Sequence, residues 1–560
     1  MPSFFAELIE HPGFDDNLAR IKLIVGVVAL IAFYVEASRE SEGRPVSLQL
    51  KKWVGGGLAI ASILSFFHFL EIGYRDFYHR HELFHYYIGA KYFPEIGYEG
   101  IYGCAAVAES ELPDGSAGPR DRPSQAVRRR KLRDLRVNLL VDTTDWVDHP
   151  ERCKAGDAAE GRVAFTDGRW NAFKRDVAFF RRVSLGNDWE HMQKDHGYNP
   201  PPTWALLGRF FADLHPADVP TMKALSAIDP LLFAAMFGMI AWAFGLRVTC
   251  VAIMFWGLND AAPFYWTGGA FLRQDWLLAT VASACLFRKR YFAWGGAALA
   301  YATLLRVFPV FLFAGVAVSM VAFAYRAWRR DGAALRGTAR SILLRLTSMA
   351  HRRIVMGAAI TVLVLVPLSA LNHGTHAWPS FVHHIAVHNA TPLTNHMGWK
   401  TIVAHSAEGR AQVAENPHLA DAFATWKAMR RDRVARLWPV HLGGIAIFMG
   451  LFVWAVVRLR SPWIVTALSC LPAMVLIELT DYYYSFFMLA ALLTRGRRQL
   501  EVALIATAIA SEVCHLAYPY FDDRFVAMSV VYLVFALFMV SLYARRLLPE
   551  RWTRVIFASA

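Results

Sequence analysis

Apolar segments recur along the whole chain, separated by short polar turns and by two long hydrophilic stretches. Most of them are roughly 15–22 residues long, which is the length of an α-helix that crosses the hydrocarbon core of a bilayer. The chain is 56% hydrophobic and only 19% charged, which excludes an ordinary soluble protein. We therefore predict an all-α polytopic membrane protein with about 13 transmembrane helices. The predicted spans are residues 21–36, 53–70, 227–246, 248–258, 271–287, 291–305, 307–325, 354–371, 440–457, 463–479, 483–493, 499–518 and 525–544.

Lysine and arginine are concentrated in alternate loops, and short loops rich in these residues remain on the cytoplasmic side of a membrane. If the N-terminus lies outside, all the basic loops lie inside: residues 39–52, 288–290, 326–353, 458–460, 495–498 and 545 onward. The short loops that then lie outside contain no Lys or Arg: residues 259–270, 480–482 and 519–523. The net charge of +14 is thus explained by topology, and nucleic acid is not a predicted partner. The predicted location is an inner or plasma membrane.

This alternation divides the chain into five regions, of which two are long outer loops. The regions are 1–70 with two N-terminal spans, 71–225 with the first outer loop, 226–372 with the central spans, 373–437 with the second outer loop, and 438–560 with the C-terminal spans. In the first outer loop, residues 128–140 and 170–183 interleave basic and apolar positions. This pattern predicts helices that lie on a membrane surface, although a solvated helix face fits it equally well.

Two of the six cysteines, Cys104 and Cys153, share the first outer loop. They can bond to each other if that loop faces an oxidising compartment, but spacing alone leaves their pairing open. The other four lie in apolar segments and are predicted to be packing residues: Cys250, Cys285, Cys470 and Cys514.

Residues 74–102 collect acids, histidines and aromatics directly after the second predicted span. Within them, His81-Glu-Leu-Phe-His85 matches the H-E-x-x-H pattern, in which two histidines one helical turn apart bind zinc and the glutamate polarises a water molecule. One hypothesis is therefore a membrane zinc metalloprotease, for which the sequence identifies no third ligand.

Further polar residues fall at the predicted outer ends of the spans or in the second outer loop. Ionisable residues near membrane depth are costly and usually functional. Guanidinium groups also match the geometry of phosphate oxygens. The alternatives are purely structural roles: Arg273 pairs with Asp275, and Arg306 marks the end of a span. The residues of this set are Asn259, Asp260, Arg273, Arg306, His388, Asn395, Lys400 and Asp481.

This layout resembles the GT-C superfamily of membrane glycosyltransferases, on the evidence of residues 74–102 and of Arg306-Val-Phe-Pro309. The resemblance implies transfer of a sugar from a polyprenyl phosphate to a glycan, lipid or protein acceptor on the extracytoplasmic face. It implies that Glu82 or Asp76 is the general base, and it leaves open whether a divalent cation is needed. The chain departs from the family pattern because its acidic loop follows the second span and not the first.

The implied substrate-binding residues include members of the acidic stretch as well as the polar set above. Those in the stretch are His79, His85 and Tyr86. A transporter or flippase is a third hypothesis, and it predicts that the charges line a pathway at the membrane midplane.

Overall fold

The computed structural model describes residues 14–70, 78–119, 121–157, 160–184, 187–330, 337–419 and 421–544, and these residues are mostly helical. Seven helical segments in them are long and apolar enough to cross a membrane. This confirms an all-α, membrane-embedded protein. The seven segments are Asp15–Ser41, Val219–Phe244, Phe308–Arg330, Met349–His373, Trp438–Val456, Arg498–Ala517 and Phe521–Ala544.

The prediction of 13 spans is confirmed only for these seven, because the remaining predicted spans coincide with shorter or more polar helices. The span predicted over residues 271–287 shows one reason why a helix is shorter than its apolar segment. Phe271 and Leu272 are apolar, but they precede the helix, and Leu272 has a positive φ of 50°. The shorter or more polar helices are Leu48–Phe66, Leu246–Leu258, Asp275–Arg288, Phe292–Leu305, Pro462–Leu468, Cys470–Leu476 and Met488–Leu492.

Two of the helices, Phe292–Leu305 and Met349–His373, pack against each other through glycine. A Cβ atom at Gly296 would lie 2.1 Å from the carbonyl oxygen of Ile354, and one at Gly357 would lie 1.9 Å from that of Ala293. No larger residue fits between backbones this close. Membrane helices gain van der Waals contact in this way because lipid supplies no hydrophobic driving force between them.

The first loop region, taken as the described residues between 78 and 218, is a packed layer of short helices and one hairpin. Its helices are Arg80–Leu83, Phe84–Ile88, Gly89–Lys91, Phe93–Ile96, Ile101–Ser110, Pro123–Val127, Thr144–Val147, Glu151–Lys154, Asp167–Val183, Asp188–Met192 and Pro202–Asp213. The segment Phe84–Ile88 is a π-helix. The predicted helix at 170–183 exists within Asp167–Val183, where Trp170 and Phe173 are buried.

The prediction of a surface helix at residues 128–140 is wrong. Strands Lys131–Asp134 and Leu139–Asp142 pair there as an antiparallel hairpin. Leu132 and Asp134 are buried while Lys131 is exposed, which is the period-two alternation of a strand. Asn138 turns the chain with a φ of 56°, a conformation that asparagine tolerates better than most residues.

The second loop region, residues 374–437, lies against the first. Its helices are Ala377–Asn389, Trp399–Ala404, Ala411–Ala414 and Ala424–Arg436. Strand His396–Met397 pairs with Leu479–Thr480, which ties this region to the C-terminal helices. The His384 imidazole stacks on Tyr98 of the first region, with ring centroids 5.1 Å apart.

The pairing that the sequence left open is made, because Cys104 and Cys153 form a disulfide across a sequence separation of 49 residues. Both residues are buried, and the bond joins helix Ile101–Ser110 to helix Glu151–Lys154. The other four cysteines are free and buried, as predicted.

We expect reduction of this disulfide to destabilise the protein, because a closed loop of this length limits the unfolded chain and is worth about 2–4 kcal/mol. In detergent, dithiothreitol should lower the Tm of the wild type. It should have no further effect on the double variant Cys104→Ser/Cys153→Ser, which should already melt at the lower temperature. Cys514→Ser is the control, and it should respond to dithiothreitol like the wild type. An unchanged wild-type Tm after complete reduction would contradict the prediction.

Candidate active site

Glu82 forms an ion pair with Arg273 that joins the first loop region to the central helices. The Arg273 Nη1 atom lies 2.9 Å from the Glu82 Oε2 atom, and the two side chains are only 6% and 17% exposed. Glu82 lies in the short helix Arg80–Leu83, whose first turn is capped by the His79 ring. The acid is therefore held on a defined turn, almost out of water.

Immediately after this turn the chain widens into the π-helical segment Phe84–Ile88. Such segments are rare and frequently occur at functional sites, because the extra residue in the turn re-aims the side chains. Here Tyr86 points at the two arginines. Its hydroxyl accepts a hydrogen bond from Arg273 Nη1 and a longer one, of 3.4 Å, from Arg306 Nη2.

Both guanidinium groups also lie near the ring of Tyr86, with Cζ atoms 5.2 Å (Arg273) and 5.8 Å (Arg306) from its centroid. Burial raises the pKa of Tyr86 although both arginines oppose the shift, so the phenol keeps its proton at neutral pH. Because its oxygen accepts from the arginines, its own O–H is free to donate to a further group. A second ring, that of Tyr482, lies 4.5 Å from the Arg273 Cζ atom.

Arg306 has no acidic partner among the described residues within ion-pair distance. It is 6% exposed, its Nη1 atom donates to the neighbouring Leu305 carbonyl at 2.7 Å, and its buried Nε–H has no hydrogen-bond partner in the part of the chain that the structure describes. A buried guanidinium with unused donors is costly unless an anion satisfies it. Arg306 is therefore not an exposed side chain that snorkels to the membrane surface.

The backbone that carries Arg273 is fixed from two sides. Asp229, an acid within the span Val219–Phe244, accepts hydrogen bonds from the backbone N–H groups of Arg273 and Gln274 at 3.0–3.3 Å. The carbonyl of Leu272 accepts a 2.9 Å hydrogen bond from the Trp204 indole. The left-handed backbone of Leu272 is strained and is held by these contacts, as is common beside functional residues.

Arg273 does not pair with Asp275, which was the structural alternative. The Asp275 Oδ1 atom instead accepts from the backbone N–H of Trp276. The structure thus brings four of the predicted residues together: Glu82, Tyr86, Arg273 and Arg306. We call these four residues and Tyr482 the arginine cluster.

The two histidines of the H-E-x-x-H pattern are grouped with Asp195. The potential ligand atoms of His81, His85 and Asp195 lie within 4.8 Å of one another, so the set has the composition of a metal site. Asp195 is the third ligand type that the sequence did not identify. It precedes His196 in the long hydrophilic loop, where an acid carries no distinctive spacing.

These ligand atoms, however, already have hydrogen-bond or ion-pair partners. His81 Nε2 lies 2.9 Å from Asp195 Oδ2. Burial disfavours a charged ring, but the hydrogen bond and charge of Asp195 outweigh it and raise the pKa of His81. The His85 ring contacts the His81 carbonyl through Nδ1 and the Tyr102 hydroxyl through Nε2, both at 2.7 Å. A metal would therefore have to displace an ion pair and a hydrogen bond.

Asn259 and Asp260 belong to a different buried cluster. The Asn259 Oδ1 atom accepts from the hydroxyls of Ser511 and Tyr532, and the Asp260 Oδ2 atom lies 3.2 Å from His515 Nδ1. These contacts tie the end of helix Leu246–Leu258 to the last two long helices. The two residues make none of their hydrogen bonds with the arginine cluster.

The predicted residues of the second loop region also have other partners. Lys400 pairs with Glu478 at 2.8 Å, and the His388 ring lies 5.8 Å from that of His196. Asn395 donates to Asp481 at 3.0 Å, and Asp481 directly precedes Tyr482 of the arginine cluster. Asp76 lies outside the described residues.

Sequence reasoning missed Asp229 and Glu478, which hold Arg273 and Lys400. Both are acids in apolar surroundings, and that signal could have identified them. Comparison with protein-family models, with curated proteins and with solved structures finds no match to this chain.

Proposed function

We propose that this protein is a membrane glycosyltransferase that moves a sugar from a polyprenyl phosphate to an acceptor hydroxyl. The single observation that supports this function best is the buried pair of guanidinium groups, Arg273 and Arg306, next to one carboxylate, Glu82. The site therefore combines a receptor for an anion with a proton acceptor, set at the ends of apolar helices.

In this mechanism the two arginines stabilise the leaving group, which is the lipid phosphate. As a glycosidic bond to a lipid phosphate breaks, negative charge accumulates on the phosphate oxygens, and fork-shaped donors fixed beforehand stabilise that charge. Arg306 supplies one buried donor, its Nε–H, that has no hydrogen-bond partner among the described residues. The Tyr86 hydroxyl lies between the two guanidinium groups and is able to donate to the same oxygens.

In this mechanism Glu82 activates the nucleophile, which is the acceptor hydroxyl. An acceptor hydroxyl must lose its proton as it attacks the anomeric carbon, and a carboxylate within hydrogen-bond reach accepts that proton. In the free protein Arg273 holds Glu82 by one contact. A phosphate that binds Arg273 competes for that contact, so donor binding turns the carboxylate from an ion-pair partner into a base.

Two features of the surroundings support a site outside the cytoplasm. Disulfides persist in oxidising compartments, and the Cys104–Cys153 bond lies in the same loop region as Glu82. The distribution of Lys and Arg predicts the same side.

A transfer assay tests the proposal. The purified protein should release polyprenyl phosphate from a polyprenyl-phosphate sugar only when an acceptor is present, and the labelled sugar should appear on that acceptor. A panel of donors is needed, because the sugar is not specified by the arginine cluster. Failure of every donor, with binding of polyprenyl phosphate also absent, would contradict the proposal.

A zinc metalloprotease is the second proposal, and the grouping of His81, His85 and Asp195 is the observation that favours it. Metal analysis separates the two. If the first proposal is right, protein purified without chelator should contain far less than one zinc per chain, and His81→Ala should not change that content. One zinc per chain that His81→Ala removes would favour the protease and count against the transferase.

A further inference from the structure

A second group of basic residues lines a cavity at the opposite ends of the helices, on the predicted cytoplasmic side. It is a cavity of about 530 Å³, within the range of roughly 300–1,000 Å³ that is typical of ligand pockets. We call it the basic pocket. Its lining is the segment Ala241–Gly245 together with Arg288, Lys289 and Arg495.

Among the described residues, the lining of the basic pocket contains three cations and no acid. Within the described part of the chain, none of the three forms an ion pair, whereas the nearby Arg247 is paired with both Glu36 and Glu501. Two helix ends meet at the pocket, those of Ile228–Phe244 and Asp275–Arg288, and each contributes about half a negative charge. The dipoles therefore offset about one of the three positive charges, and an excess of about two remains.

Aromatic rings hold two of these three cations in place. The Lys289 Nζ atom lies 4.9 Å from the Trp242 ring centroid, and the Arg288 Cζ atom lies 5.4 Å from that of Trp463. Trp463 in turn packs edge-on against Phe244, with centroids 5.1 Å apart. Cation–π contacts of this kind fix the direction of long side chains that otherwise sample many rotamers. Arg288 and Lys289 are thus positioned before any ligand binds.

The position of the pocket identifies the ligand class. Trp242 is 47% exposed at the end of a membrane-crossing helix, where tryptophan belongs to the layer of lipid headgroups. Basic pockets between membrane helices at this level bind anionic headgroups. We propose that the basic pocket binds the phosphodiester headgroup of an anionic phospholipid, whose acyl chains lie along the neighbouring apolar helices. This inference does not depend on the proposed transferase activity.

Native mass spectrometry of the full chain in neutral detergent tests the proposal, with dioleoyl-phosphatidylglycerol and dioleoyl-phosphatidylcholine as probes. The wild type should bind one phosphatidylglycerol saturably and prefer it to phosphatidylcholine. Each cation removed should weaken this binding about fivefold, so Arg288→Gln/Lys289→Gln/Arg495→Gln together should weaken it about 100-fold. The variant Arg288→Lys/Arg495→Lys keeps the charge and should retain most of the binding. That result would show that substitution at these positions does not itself disrupt the site.

A matched triple variant serves as the control. Arg290→Gln/Arg458→Gln/Arg460→Gln removes the same charge from the same predicted side but lies outside the pocket, and it should bind phosphatidylglycerol like the wild type. Equal loss in both triple variants, or equal affinity for the two lipids, would overturn the proposal. So would displacement of the lipid by millimolar glycerol phosphate, because the ligand would then be a soluble anion.

Discussion

Glu82→Gln is expected to reduce sugar transfer by about 100-fold to 10,000-fold, the range by which a positioned general base accelerates a reaction. Glutamine keeps the shape of the side chain and places an oxygen near Arg273, but it cannot take a proton from an acceptor hydroxyl. The donor should therefore still bind. The measurement is the transfer rate at saturating donor, together with the Kd for polyprenyl phosphate.

Loss of the ion pair alone could lower the rate, and a matched variant separates this effect from loss of the base. Glu95 and Arg169 form a partly buried pair outside the arginine cluster, with Arg169 Nε 2.6 Å from Glu95 Oε1. Glu95→Gln should affect stability but not transfer. Formate should restore part of the activity of Glu82→Ala by occupying the space of the missing carboxylate. Normal transfer by Glu82→Gln would contradict the assignment of the base.

Arg306→Gln is expected to raise the Kd for polyprenyl phosphate by about tenfold to 100-fold, because a hydrogen bond to a charged group contributes about 1.5–3 kcal/mol. Arg306→Lys should recover only part of this affinity, since an ammonium keeps the charge but loses the fork. No ion pair is broken among the described residues, so the Tm should change little or rise.

The exposed Arg128, paired with Asp148, provides the control for Arg306. Arg128→Gln removes the same charge from the first loop region and should leave the Kd unchanged, because exposed pairs contribute little. If Arg306→Gln bound polyprenyl phosphate as the wild type does, the guanidinium would not be a phosphate ligand and the proposed role of the pair would be wrong.

Much of the site could be predicted because burying a charge is costly. Arg273 and Arg306 interrupt apolar sequence, and such residues must meet a partner or a ligand. The alternation of basic loops then predicted the end of the bundle at which they lie. Glu82 was selected by its place after an apolar helix, and the structure brings all three together.

Other features could not be predicted, because they depend on how the helices rotate against each other. The ion pair between Glu82 and Arg273 joins residues 191 positions apart, and no local pattern encodes it. Lys400 and Asp260 also lie in polar sequence near span ends, yet they pair with Glu478 and His515. The hairpin around Asn138 was mistaken for a helix because interleaved basic and apolar residues fit both periods over a short stretch.

The most direct test of the central claim is an electron cryomicroscopy structure of the protein with polyprenyl phosphate. Density for the phosphate is expected within hydrogen-bond distance, about 2.7–2.9 Å, of both Arg273 and Arg306. Glu82 should then have lost its contact with Arg273 and face the space for the acceptor. Density for the phosphate at another group of residues, with the Glu82–Arg273 pair intact, would contradict the account.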